Sequence, residues 1–333
     1  MSAEGPVAEL GERALIERIR ARIPDQVPDA IGPGDDAAVL PPVGPRMLYT
    51  LDTLVEGIDF DLDSCAGADV GWKAMAVNAS DIAAMGGIPE YALVSLCLPS
   101  KTGIDVIDGV LDGLLEAGRR WEIGVVGGDL SEGPVLVLSL ALIGRATAPV
   151  LRSGVRPGHA LCVTGSLGGA AGGLLSLRAR PAGEHLDPGE QRLRRRQLRP
   201  CAQVEAGRAL AGTARAMIDI SDGLAMDLAN LLDASGLGCV IDPAAVPVDP
   251  DLAAVRDERG GPIDPLHVAL TGGEDFELLV ALEEKDVSEA VQAVRDTGAT
   301  LTRIGVARRG PRLIGEHDLD DYRRAGWEHL RTH

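Results

Sequence analysis

Aromatic residues are nearly missing from this chain, in which three Trp, three Tyr and two Phe make up 2 % of 333 residues. Hydrophobic residues still reach 45 %, so the cores must be aliphatic, and the length exceeds what one core usually serves, which favours two domains. Lysine is scarce as well: Lys73, Lys101 and Lys285 are the whole set. None follows a GxxxxGK[ST] loop, which excludes a P-loop, and no HRD or DFG set marks a protein kinase. The five cysteines form no CxxC and have no His at ligand spacing, so neither a zinc site nor a disulfide framework is indicated and a reducing compartment is expected. The six histidines stand apart from any GxSxG or cysteine motif, which leaves covalent catalysis without a nucleophile. Nothing resembles a signal peptide, and the apolar run Val135–Ile143 is too short to span a bilayer; a cytoplasmic protein without a membrane partner is expected. Acidic residues outnumber basic ones 50 to 32, and a net charge of −18 speaks against nucleic acid and for metal ions or cationic ligands.

What the chain does have is aspartate in a recurring setting. Residues 72–87, WKAMAVNASDIAAMGG, read as a helix of small residues: Met75, Ala79, Ile82 and Ala83 form a face to bury, and Asn78 and Asp81 project together from a neighbouring one. Gly86, Gly87 and Pro89 stop it. Four other stretches place an acid after a short apolar or glycine-rich run: Gly34-Asp35-Asp36, Thr50-Leu51-Asp52, Gly127-Gly128-Asp129 and Ile218-Asp219-Ile220-Ser221-Asp222. Singly, each aspartate is a turn residue or helix cap. Together they are costly, because carboxylates about 5 Å apart repel by roughly 3 kcal/mol per pair at an effective dielectric near 20. Either they are scattered or they hold cations, and oxygen-only ligands select hard ions such as Mg²⁺.

Taken in order, residues 9–22 form an amphipathic helix, Asp35-Asp36 lead into a strand, and Met47–Asp52 is a strand that ends on Asp52. Strands at Ala92–Leu98, Ile123–Val126 and Val135–Ile143 follow, with a helix within Ile104–Arg120 and a turn carrying Asp129. The segment 144–158, rich in Pro, Gly and Arg, marks a domain boundary, with domains at 1–148 and 149–333. Beyond it come strands at Ala160–Thr164, Met217–Ile220, Cys239–Ile241, Phe276–Leu282 and Leu301–Val306, interleaved with helices. The class is therefore α/β or α+β. Thr164–Gly173, TGSLGGAAGG, is a weak phosphate-loop signal; Arg192–Arg199 reads as a solvated loop or helix face; Glu274 and Asp275 sit in a turn, LTGGEDF.

The motifs GPGDDAAVL, TLDTLVEG, VNASDIAAMGG, VVGGD, LRSG, IDISDGL and LTGGEDFEL occur in the order and spacing found in bacterial thiamine-monophosphate kinases of the AIR-synthetase-related superfamily, which this chain resembles over almost its whole length. The resemblance implies a two-domain α/β (α+β) AIR-synthetase-like fold whose N-terminal domain makes a homodimer through β-structure. It implies ATP-dependent phosphorylation of thiamine monophosphate with more than one Mg²⁺. By motif, Asp36, Thr50, Asp52, Asp81, Asp129, Asp219 and Asp222 would be metal ligands. Gly128, Asp129, Arg152 and Ser221 would meet ATP. Glu274 and a tail aromatic, Tyr322 or Trp327, would touch the thiamine moiety. Two positions depart from the family pattern: Leu51 stands where a hydroxyl residue is usual, so any metal contact there is through the backbone or is lost, and Asp59 replaces a frequent substrate-contacting His. Another ATP-dependent enzyme of the superfamily, or a non-catalytic acidic dimer that binds Mg²⁺ and nucleotide, are the alternatives.

Overall fold

The computed structural model describes residues 38–39, 46–179, 186–256 and 260–324. The expected first helix at 9–22, together with Asp35, Asp36 and Trp327, lies outside the described residues. The first half holds β1 (Ala38–Val39), β2 (Arg46–Val55), α1 (Gly67–Ala84), β3 (Ile88–Leu98), α2 (Ile104–Trp121), β4 (Gly124–Glu132) and β5 (Val137–Ala146). After a connection free of helix and strand come β6 (Ala160–Thr164), α3 (Gly169–Ala179), α4 (Pro188–Leu198), α5 (Val204–Leu210), β7 (Ala216–Asp219), α6 (Leu224–Asp233) and β8 (Gly238–Ile241). The rest is α7 (Pro265–Thr271), β9 (Leu278–Leu282), α8 (Val287–Asp296), β10 (Leu301–Arg308), β11 (Arg312–Ile314), β12 (His317–Asp318) and α9 (Leu319–Arg323). Strands form two sheets, in the orders β1-β2-β5-β3-β4 and β12-β11-β8-β10-β6-β9-β7. The expected mixture of helix and strand is what the chain adopts.

Helix α1 has no broad polar face, because nearly every side chain on it is small or apolar and most are buried. Its glycines let a second helix touch its backbone. A Cβ on Gly71 would stand 2.0 Å from the Val110 carbonyl oxygen, and one on Gly113 of α2 would stand 2.0 Å from that of Ala68. The opposite side of α1 packs on β2 and β5 and reaches across to α5 and β7, so one aliphatic core is shared by both halves. A second core fills the far side of the second sheet, with Leu161, Val163, Ile218 and Leu279 in it, while Ala160, Cys162, Met217 and Val280 of the same strands face the shared core. That alternation is the period of two expected of strands.

Several elements differ from the sequence reading. Strand β2 runs on to Val55, so Asp52 lies within it, and β4 runs to Glu132, so Asp129 sits in a strand and not a turn. Asn78 is buried, its Nδ2 donating to the Ala74 carbonyl at 2.9 Å, so it shares the core-facing side of α1. The arginine-rich run lies on the helix α4 and is a solvated face only in part: Arg192 and Arg195 are exposed, but the others turn inward. Arg194 is buried against Ser176, and Arg196 lies 2.9 Å from Asp249. Pro188 in the first turn and Asp187 as cap, accepting from the Gly189 and Glu190 N–H groups, start that helix.

Candidate active site

Helix α1 carries four ties to the second half, one after another along its length. Arg199 holds Asp69 at 2.6 Å, the Trp72 indole donates to the Pro200 carbonyl at 2.8 Å, Lys73 reaches Glu274 at 2.6 Å, and the Ser80 hydroxyl donates to Asp219 at 2.6 Å. The sequence folds this way because a helix of small residues can sit close to both sheets, so several of its few polar side chains find partners in the other half.

At the C-terminal end of α1 the expected acids begin to gather. The Thr50 hydroxyl donates to Asp81 Oδ2 in a very close contact, and Asp52, two residues along β2, shares the face of the strand that Thr50 uses. Next to Asp81, Ser80 holds the buried Asp219 at the end of β7. The turn that follows is fixed by a residue the motifs did not single out. Asp227 on α6 accepts from the N–H groups of Ser221 and Asp222 at 3.1 and 3.0 Å. Burial, then the charges of Asp222 and Asp219, push its carboxyl well above the usual range, against the pull of the nearby Arg152. An acid on the apolar stripe Leu224, Leu228, Leu231 was the signal in the sequence. The same turn pairs with the 274–277 segment: Glu274 N–H donates to the Ser221 carbonyl, and Phe276 N–H to that of Ile220. Gly223 and Gly273 permit the approach, since a Cβ on Gly273 would stand 2.5 Å from the Ser221 oxygen.

Asp129 does not join them within one chain. It is exposed, and it ends a row Thr53, Ser139, Ser95, Asp129 that crosses the open face of the first sheet, three strand spacings away from β2. At about 4.8 Å per strand that separation exceeds what one ion bridges. Accordingly, among the described residues no group of three His, Cys, Asp or Glu side chains is close enough to hold a metal ion. Gly128 beside it has a packing reason: a Cβ there would stand 2.0 Å from the Val94 carbonyl. The Leu51 side chain is 65 % exposed on the same open face.

The other end of α1 borders a cleft of about 270 Å³ lined by Asp59, Asp61, Asp69, Phe60, Lys73, Leu174 and Gln197, among others. Asp59 turns its carboxylate onto the Val55 N–H at 2.8 Å, closing its own turn. Glu274 does not line that cleft's wall directly but is gripped from it, by Lys73 and by the Gln197 amide. Tyr322 packs on the second core beside His267 and His317, away from the cleft.

The glycine-rich loop Thr164–Gly173 has its helix N-terminus already filled. Asp275 accepts from the N–H groups of Gly168 at 2.6 Å and Ala170 at 3.1 Å, where a phosphate would otherwise bind. Burial pushes Asp275 up to about 6 and Glu277 up to about 7, in each case against the opposing charge of Arg196.

The whole chain has clear relatives. It matches the AIR synthase related protein N-terminal domain over residues 34–146 and the corresponding C-terminal domain over 156–318. It is 35 % identical over 315 residues to the thiamine-monophosphate kinase of Rhodopirellula baltica, covering 90 % of each chain. The Mycobacterium tuberculosis enzyme of that name is 37 % identical over 284 residues, 84 % of this chain and 83 % of that one. Among solved structures, AaThiL complexed with AMPPCP and TMP superposes with a TM-score of 0.86 at 32 % identity, over 98 % of this chain and 100 % of that chain. The hydrogenase maturation protein HypE of E. coli shares the fold alone, at 21 % identity and a TM-score of 0.65. By domain content and by identity over most of its length, the chain belongs to the thiamine-monophosphate kinase family.

Proposed function

We propose that the chain transfers the γ-phosphoryl group of ATP to thiamine monophosphate by direct in-line attack of the substrate phosphate, as a cytoplasmic homodimer whose sites each draw on two chains. The two domains divide at 148/149. The observation that carries this reading is the pair of contacts at one end of α1, Thr50 to Asp81 and Ser80 to Asp219, with Asp52 on the same strand face as Thr50, while Asp129 lies across the open sheet face. The donor set fits Mg²⁺ in kind, being hydroxyl and carboxylate oxygen without sulfur or imidazole. Asn78 Oδ1, one turn before Asp81 on α1, is a further buried oxygen with no hydrogen-bond partner among the described residues. Thr50, Asp52, Asp81, Asp219 and Asp222, with Asp36, would hold the ions, which when bound neutralise phosphate charge.

The chain's own groups do the rest. Arg152 and the Ser221 turn, stiffened by Asp227, meet ATP together with Gly128. The acids Asp59, Asp61 and Asp69 draw the thiazolium cation into the cleft, Glu274 contacts the thiamine moiety, and Trp327 supplies the aromatic face. No protein nucleophile is needed, because phosphoryl transfer asks for positioning and charge neutralisation.

The first sheet's open face supports dimerisation. Tyr49, Leu51, Tyr91 and Leu93 lie on it with Ala141 and Ile143 between them, an apolar surface that a second copy would cover. A second chain would also bring its Asp129 to the acids of the first. The test is ADP release from Mg·ATP that requires thiamine monophosphate. Asp81→Asn is expected to lower it by about a thousandfold or more with the circular dichroism spectrum unchanged. Turnover near that of the wild type in this variant would contradict the assignment.

A further inference from the structure

Lys73 stands out among the buried groups that the transfer itself does not use. It is 3 % exposed, one of three lysines in the chain, and the only lysine or arginine on its helix. Its ammonium lies 2.6 Å from Glu274 Oε1 and donates to the Asp59 carbonyl at 3.1 Å. The other Glu274 oxygen accepts from Gln197 Nε2. A carboxylate only accepts, so this bond fixes the Gln197 amide, and it leaves the buried Oε1 with no partner among the described residues. Glu274 also holds a left-handed backbone, with φ of +66°, which is uncommon for a residue with a side chain. An ion pair whose lysine is buried and whose glutamate is half-buried, an orphan acceptor and a strained glutamate all cost stability. Their cost makes sense if the position of Glu274 is what matters.

We propose that Lys73 is the positioning residue for thiamine recognition: from the first half it fixes Glu274 of the second, and it sets the distance from Glu274 to the acids at the other end of α1. The inference rests on the kinase reading and on Glu274 as a thiamine contact. Asp81 lies eight residues on in the same helix, about 12 Å at 1.5 Å per residue. A rigid helix thus measures out the span that a molecule with its ring system at one end and its phosphate at the other has to bridge. Lys73 also touches the turn that carries Asp59, so the cleft's acidic rim and Glu274 move as one unit.

The test uses the full chain and steady-state kinetics of ADP release. Lys73→Met removes the ammonium and keeps the stem. Its KM for thiamine monophosphate should rise at least about tenfold, while kcat stays within about threefold and KM for ATP within about twofold. Lys73→Arg should bring KM for thiamine monophosphate back to within about threefold of wild type. In a Glu274→Gln background, Lys73→Met should change that KM by less than about twofold, because its effect passes through Glu274. If Lys73→Met does not fold, Lys73→Gln carries the same measurement, with a rise of about threefold or more expected. An unchanged KM for thiamine monophosphate, a parallel rise in both KM values, or a full effect in the Glu274→Gln background would overturn the role of Lys73. Absence of thiamine-monophosphate-dependent turnover in the wild type would instead overturn the kinase reading.

Discussion

Three strands of the second sheet, β6, β9 and β7, are buried on both faces, whereas the first sheet leaves one face bare. In β6, β7 and β9 every residue is buried, alternating between two cores, so these strands read as continuous apolar runs. In β2 and β3 the burial alternates, and the outward set includes Leu51 at 65 %, Tyr91 at 50 % and Leu93 at 45 % exposure. A solvated face ordinarily carries polar residues at those places. The difference teaches that these strands of the second half find both their cores within the chain, one of them shared with the first half, while the first sheet leaves an apolar face that nothing among the described residues covers.

The largest expected effect comes from spoiling the bare face. Leu93→Glu, in register with Ala141 and Leu51, should give a monomer by light scattering and lower thiamine-monophosphate-dependent turnover by about a hundredfold. A dimer of normal activity in this variant would mean that the face has another use. Next in size is a change at the helix pair beneath the same sheet. Gly113→Ala places a methyl against the Ala68 carbonyl, so it should cost about 1–3 kcal/mol in urea denaturation without altering the oligomeric state. A midpoint equal to that of wild type would show that α1 and α2 can part at no cost.

The smallest effect belongs to the second half. Glu277 ionises at about 7 in the folded chain against an ordinary value of 4.5, because burial outweighs Arg196 and the Thr164 hydroxyl bond. Between those values the native state binds more protons than the unfolded one, so this group's contribution is full below about 4.5 and is lost as pH rises through 7. Asp275, raised to about 6, acts in the same direction. Thermal melts should therefore show midpoints that fall from pH 5 to pH 8, with a shallower fall in Glu277→Gln. Identical slopes would place the proton elsewhere.

Much of this could be read in the sequence, for definable reasons. The strands of the second half were legible because a strand buried on both sides is an uninterrupted apolar run, as in β6 and β9. The aspartate motifs were legible because acids beside glycine and small residues are rare enough to count. The length of β2 and β4 was not, because sheet partners hold Thr53 to Val55 and Asp129 to Glu132 in strand where local sequence suggests a turn. Nor was the work of the arginines on α4, since charge alone suggests solvent and only the fold supplies Asp249 and the carboxylates below Arg196. Lys73 and Asp227 left a signal, a charge on a buried stripe, which becomes decisive only when the partner is seen: Glu274 of the other half for Lys73, the Ser221–Asp222 turn for Asp227.

The claim that each site is shared between two chains is tested most directly by mixing two inactive variants. Asp81→Asn and Asp129→Asn are each purified, combined under conditions that exchange subunits, and assayed for thiamine-monophosphate-dependent ADP release. Random exchange makes half the dimers mixed, and each mixed dimer has one of its two sites intact. Activity should therefore recover to about a quarter of wild type under two-fold symmetry. A mixture that exchanges subunits and remains as inactive as its components would contradict the shared site.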